Sequence, residues 1–346
     1  MPINYEPING ATDVATTRTI LHEVIPLTGT IVSGTYGTFP NDDNIKNYSH
    51  GQFQSVYDYP YLSSSANHIF DLTAGFDESS PLSGSAGVVL QSKKINMYNQ
   101  FSQVLLGYTG STNTVRLFEG DLTLDQAGNV MKEVIFVNLS RLLTKDEVKK
   151  GSVSITVGTA SWAAPFAGVK TFTDSDASNT SNTLNTVGGD YGLLSSSAGV
   201  GGVVFYQAGV MVLTSSIWAG TTDFFSQSTT ARTFDQQLVS GSISGSADAF
   251  RHRLQNLQFN NSTEINSTVY FCRAPHNKFN YSSNPTYLNA GAIRVKNNVR
   301  SNPPIAYTTT IGLYNSQNEL LAVAKLSEPL RKDPTNELTL RVRLDY

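Results

Sequence analysis

The sequence holds one cysteine, Cys272, among 346 residues. A single thiol forms no internal disulfide and anchors no thiolate metal cluster. Its place in the apolar run Val269-Tyr270-Phe271-Cys272 predicts a buried, inert side chain. Charge is scarce as well: Asp, Glu, Lys and Arg make up 15% of the chain, against about 25% in an average soluble domain. No window approaches the roughly 18 consecutive apolar residues of a membrane-spanning helix. Met1-Pro2-Ile3-Asn4-Tyr5-Glu6-Pro7 lacks the basic flank and apolar stretch of a secretory signal. No membrane partner is expected.

Residues for chemistry are equally thin. No two of the five histidines, His22, His50, His68, His252 and His276, stand three to five positions apart as metal ligands would. There is no Gly-x-x-x-x-Gly-Lys-Ser/Thr phosphate cradle, no Gly-x-Gly-x-x-Gly, and no Gly-x-Ser-x-Gly elbow in a strand–turn–helix setting. Asn41-Asp42-Asp43-Asn44 and Asp174-Ser175-Asp176 lack the spaced ligands and distal Glu of a calcium loop and read as solvated turns. The expectation is no catalytic residue, no cofactor site, no metal site and no enzyme activity.

What the chain has in quantity is Gly (27), Phe (17) and Tyr (16), with many Ser, Thr and Asn. That mixture is too aromatic for disorder and suits many strands joined by turns. The fold class read from it is a β-rich α+β chain: antiparallel sheets, a few short helices, and a long Gly/Ser/Thr/Asn-rich inserted loop.

Four regions follow along the chain. Residues 1–60 read as an extended N-terminal arm with short strands. Residues 61–157 read as an α+β region. In it, Ser63-Ser64-Ser65 caps a short helix through Ile69 and Phe70 that ends at Gly75, and Met97, Phe101 and Val104 mark a helix over 93–106. Val134-Ile135-Phe136-Val137 is a strand, and Thr144-Lys145-Asp146-Glu147 is a capping box for a helix ending before Gly151. Residues 158–202 read as the inserted polar loop, either a surface insertion or a segment that orders on a neighbouring subunit.

Residues 203–346 read as a β-rich C-terminal region ending on a strand. Val203–Tyr206 and Val210–Leu213 pair across a turn, and Phe250, Leu254 and Leu257 share one helix face. Tyr307–Tyr314 and Glu319–Leu326 flank the turn Asn315-Ser316-Gln317-Asn318, and Leu338, Leu340, Val342 and Leu344 alternate toward the C-terminus. Leu139–Asp146 and Leu326–Asp333 share a weak echo that one pair does not raise to a repeat.

The formal net charge of −3 conceals an asymmetry. From Arg251 onward there are 12 Lys/Arg and 6 Asp/Glu; the first 250 residues hold 12 and 21. Opposite signs on the two halves steer subunits together head to tail. The basic residues are spread singly, as in Arg294/Lys296 and Arg341/Arg343, so nucleic acid is not the expected partner.

Candidate interface residues come from two places. Tyr57, Tyr59 and Tyr61 belong to a dense aromatic patch that suits a packed subunit interface, or alternatively stacking on sugars. Phe279, Asn280, Tyr281, Asn284 and Pro285 form a polar–aromatic corner. There Pro285 biases Asn284 to extended backbone, and Asn280 bonds local backbone groups.

The segment Phe279–Thr286, the hairpin Tyr307–Asn315 with Glu319–Ser327, the terminal Arg341–Tyr346, and the pair Gly202–Leu213 together resemble virion structural proteins of large contractile-tailed bacteriophages. The resemblance covers mainly residues 200–346. It implies a structural subunit of the tail or baseplate, located in the virion and assembled in the host cytoplasm. Its partners would be other virion proteins, in a homo-oligomer or a symmetric hetero-assembly. A head–tail connector or neck subunit is the first alternative, and a receptor- or carbohydrate-binding tail protein the second.

Overall fold

The computed structural model describes residues 5–28, 37–38, 41–58, 67–84, 88–110, 114–226, 230–282 and 299–346. The chain forms two compact units: Leu21–Thr263, and Met1–Ile20 with Glu264–Tyr346. Two long strands, β1 (Val14–Thr28) and β13 (Leu254–Ala274), run through that division, and each unit is described with its own part of them.

The larger unit is built on antiparallel strands: β2 (Ile45–Asn47), β3 (Gln54–Tyr57), β4 (His68–Phe76), β5 (Glu133–Leu139), β6 (Glu147–Val148), β7 (Ser154–Gly158), β8 (Val169–Thr173), β9 (Leu184–Thr186), β10 (Gly189–Ser196), β11 (Gly199–Phe205) and β12 (Val210–Thr214). The strand order is β1-β13-β7-β8-β10-β11-β12-β5-β4-β3-β2, with β6 on β13 and β9 on β10. Among the described residues, four α-helices accompany them: α1 (Val89–Leu105), α2 (Arg141–Thr144), α3 (Phe234–Ser240) and α4 (Ile243–Arg253).

The central strands are buried on both faces, so their sequences read as unbroken apolar runs rather than as alternation. Along β5, Val134 and Phe136 enter one core while Ile135, Val137 and Leu139 enter the other. β12 divides likewise, Val210 and Val212 from Met211 and Leu213. The first core gathers Tyr98 and Leu105 of α1 around Phe118, Phe136 and Phe205. The second packs Trp218, Phe224, Phe234 and Phe250, with the Trp218 and Phe234 rings stacked 5.3 Å apart. Gly75 lets α1 lie close: a Cβ there would meet the Lys94 carbonyl oxygen at 2.6 Å.

Four secondary-structure expectations are corrected in this unit. The helix expected through Ile69 and Phe70 is strand β4, hydrogen-bonded between β3 and β5. Its serine-capped spacing was a local signal, and pairing on both sides overrode it. The capping-box helix after Thr144 is also absent: the turn α2 ends at Thr144, Lys145 takes φ 57°, and Glu147–Val148 pair with Ser262 and Asn261. The helix expected to carry Leu254 and Leu257 ends at Arg253, and both leucines lie in β13.

The fourth correction is the largest. Residues 158–202 are not an inserted loop, because β8, β9, β10 and most of β11 lie within them. Their glycines mark close packing: a Cβ on Gly201 would meet the Phe172 ring at 2.3 Å. The helix at 93–106, the 203–213 strand pair and the Val134–Val137 strand are where the pattern placed them, within a few residues.

In the smaller unit, Glu264–Ala274 of β13 pairs with β16 (Leu338–Asp345) from Ser267↔Asp345 to Ala274↔Leu338. The expected terminal strand is therefore paired. Cys272, opposite Leu340, is half-buried rather than buried. β14 (Ala306–Tyr314) and β15 (Leu320–Lys332) form a two-stranded sheet of their own. Its turn is held by the Asn315 carboxamide oxygen, which accepts from the Gln317 and Glu319 backbone N–H groups. The Leu139–Asp146 echo dissolves, since its first copy contains α2 and its second lies largely within β15.

Candidate functional site

The sequence-chosen residues separate. Tyr57 ends β3 in the larger unit, half-buried, with its ring 5.5 Å from that of His68. Tyr59 and Tyr61 lie outside the described residues, as do Asn284 and Pro285. Phe279, Asn280 and Tyr281 belong to the smaller unit. Phe279 adopts φ 60° and turns the chain. Asn280 donates to the His276 carbonyl oxygen at 2.7 Å and accepts from the buried ammonium of Lys332 at 2.8 Å. Asn280 is thus engaged inside its own unit, whereas Tyr281 is exposed.

One open surface for a partner is β1. It stands first in the strand order and its neighbour there is β13. Its fifteen residues make it long against a usual five or six. From Ala15 to Val24 every side chain is exposed, including Ile20 (49%), Leu21 (52%) and Val24 (54%). Ile20 and Leu21 are consecutive and point to opposite faces, so neither face of this stretch is covered. Arg18 (paired with Glu264), Glu23 and Pro26 are the edge-blunting residues in it. An edge of this length with little of that protection is a template for strand addition.

The register of β1 on β13 is pinned by side chains. His22 Nδ1 lies 3.1 Å from the Asn261 carbonyl oxygen, and the Glu23 N–H donates to the Asn261 carboxamide oxygen at 3.0 Å. Toward the N-terminus, Arg273 pairs with Asp13 at 2.8 Å. The Asn9 N–H donating to Asp13, aided by Thr12 and Arg273, holds that carboxyl below the usual range.

A second open surface is the β14/β15 hairpin. Tyr307, Tyr314, Leu320, Leu321 and Val323 are exposed on it, and an isolated two-stranded ribbon is marginally stable in water. The Tyr5 ring packs on Tyr314 at 4.9 Å and Lys278 pairs with Glu6 at 2.6 Å, so the N-terminal segment covers part of it. The hairpin was legible from its turn; the openness of β1 was not, because exposure follows from strand order, in which β1 has one neighbour among the described residues.

The titratable groups deep in the larger unit are structural. Lys94 is fully buried on α1 and donates to the carbonyl oxygens of Leu238 and Gly241 (2.7 Å to the latter) at the end of α3; burial lowers its pKa to about 8. Arg253 donates to the carbonyl oxygens of Phe224, Asp223 and Ala160, tying three stretches together, and burial lowers it to about 10. Burial also lowers His252, whose Nε2 lies 2.9 Å from the Trp162 carbonyl oxygen.

Among the described residues, no group of three or more His, Cys, Asp or Glu is placed to hold a metal ion, and no helix is long and apolar enough to cross a membrane. Comparison of the chain with protein-family models, with curated proteins and with solved structures returns no match.

Proposed function

We propose that the chain is a structural subunit of a tailed-phage virion, placed in the tail or baseplate, that holds neighbouring subunits in register and carries out no reaction of its own. The exposed Ala15–Val24 stretch of β1, at the end of the strand order among the described residues, is the observation that carries the assembly part of this reading. Strand addition along it supplies directional main-chain hydrogen bonds, and Ile20, Leu21 and Val24 give apolar contacts on both faces. The exposed aliphatic and tyrosine side chains of the hairpin offer a second contact, and two contacts per subunit are what a closed ring requires. The virion placement rests on the sequence resemblance. The surplus of Asp and Glu before residue 251 and of Lys and Arg after it favours head-to-tail docking of like copies.

Mass photometry across a concentration series tests it. Wild type is expected to form discrete oligomers, and Leu21→Lys/Val24→Lys, which sets a cation on each face of the edge, to remain monomeric with an unchanged melting temperature. A strictly monomeric wild type that is also missing from purified particles of its source phage would overturn the reading.

A further inference from the structure

A shelf opens beside α1 in the larger unit. Its cavity of about 210 Å³ is lined by Phe53, Asp71, Thr73, Met97, Phe101 and Asn138. The β4–β5 register sets Asp71 directly opposite Asn138, which places their Cβ atoms about 5 Å apart on one face. Asp71 is oriented from one side: its Oδ1 accepts from the Ser55 hydroxyl and lies 2.8 Å from His68 Nε2. Its Oδ2 takes no hydrogen bond from the described residues, and the side chain keeps 26% of its exposure. The Asn138 carboxamide likewise makes none with them. Thr73 is already used, donating to the Gln52 carbonyl oxygen at 2.6 Å.

The walls are aromatic and fixed. Phe101 stacks on Phe136 with centroids 4.2 Å apart and an interplanar angle of 11°. Phe53 is wedged against Tyr48 at 4.7 Å and His50 at 4.9 Å. Mostly apolar walls around a few convergent polar groups are the general form of a small-ligand site.

The geometry points to a single sugar ring as the ligand of this shelf, bound through two neighbouring hydroxyls by Asp71 and Asn138 with its C–H face on Phe53, Met97 and Phe101. A carboxylate only accepts, whereas a carboxamide both donates and accepts. Adjacent hydroxyls, each donor and acceptor, answer both groups. An ammonium only donates and leaves the Asn138 NH₂ unanswered. The volume lies below the roughly 300 Å³ at which drug-sized pockets begin, so one ring fits rather than a longer stretch of glycan. Tyr57, the described member of the tyrosine patch singled out by composition, is not in the lining.

The test is saturation-transfer NMR and calorimetric titration of the full chain with glucose, galactose, mannose and N-acetylglucosamine. At least one is expected to bind saturably. Asp71→Asn and Asn138→Leu should each weaken it about tenfold or more, the loss of one charged or neutral hydrogen bond, while Asp176→Asn leaves it unchanged. Far-UV circular dichroism verifies folding, and Phe53→Ala replaces either variant that fails it. The inference is overturned if no sugar saturates the shelf, or if the folded variants bind as wild type. It is also overturned if Nα-acetyl-lysine amide saturates the shelf and the sugars do not, which would assign it to a basic side chain. Mass photometry of the same samples keeps this apart from the assembly reading, because β1 and β3 stand near opposite ends of the strand order.

Discussion

The phenol of Tyr206 donates to the carboxylate of Asp174 at 3.0 Å, and both side chains are closed off from solvent. Asp174 also accepts from the backbone N–H groups of Gly151 (2.8 Å) and Val153 (2.7 Å). The polar stretch that composition marks as an insertion is thereby fastened to the sheet from inside.

Asp174→Ala leaves three buried donors without an acceptor. Each unanswered donor costs about 1–3 kcal/mol, and the three are not additive. We expect urea unfolding to show a loss of about 3 kcal/mol, with about 1 kcal/mol for Tyr206→Phe. Burial raises the Asp174 pKa in the fold, against the lowering effect of those N–H groups. Its titration therefore favours the folded state most below the unfolded value of about 3.9, and that contribution fades as pH rises through the folded one. A near-neutral Asp174→Ala would show that the stretch is held some other way.

Lys94 titrates at about 8 in the fold and near 10.4 when unfolded. Between those values the unfolded chain binds more protons, so this group makes stability rise with pH across that window. Lys94→Met removes the donor to the Leu238 and Gly241 carbonyl oxygens and should cost about 1–3 kcal/mol at pH 7. The gap between wild type and variant should widen from pH 7 to pH 10, followed by thermal melts in matched buffers. A gap that narrows would contradict the burial of the ammonium.

Gly75→Ala forces a methyl group against the Lys94 carbonyl oxygen, 2.6 Å away, and the Tyr98 backbone nitrogen, 3.0 Å away. Overpacking of this kind costs about 1–3 kcal/mol. Gly10→Ala, with nothing within 4 Å of its would-be Cβ, should be neutral by the same urea assay. Equal effects at the two positions would show that α1 can shift away from β4.

The parts legible in the sequence are those with a local cause. Met97 and Phe101 gave the helical period of α1, and the Asn315 turn gave the β14/β15 hairpin. The alternation of Leu338, Leu340 and Val342 gave β16. The parts that stayed hidden have distant partners. Ile69 and Phe70 fit a helix until β3 and β5 pair with them, and Gly201 looks like loop composition until the Phe172 ring lies against it. The sugar shelf was invisible for the same reason, because Asp71 and Asn138 are 67 positions apart and meet only through strand register.

The sequence by itself determined the β-rich class, the scarcity of titratable chemistry, the polarised charge and the terminal strands, because composition, side-chain period and turn residues act over a few positions. Only the tertiary structure decided that residues 158–202 contribute strands to the sheet, that β1 stands at the end of the strand order among the described residues, and that a carboxylate and a carboxamide share one shelf. Strand order and register are set by pairing across long sequence distances, and burial on both faces erases the alternation from which a strand's partners could have been read.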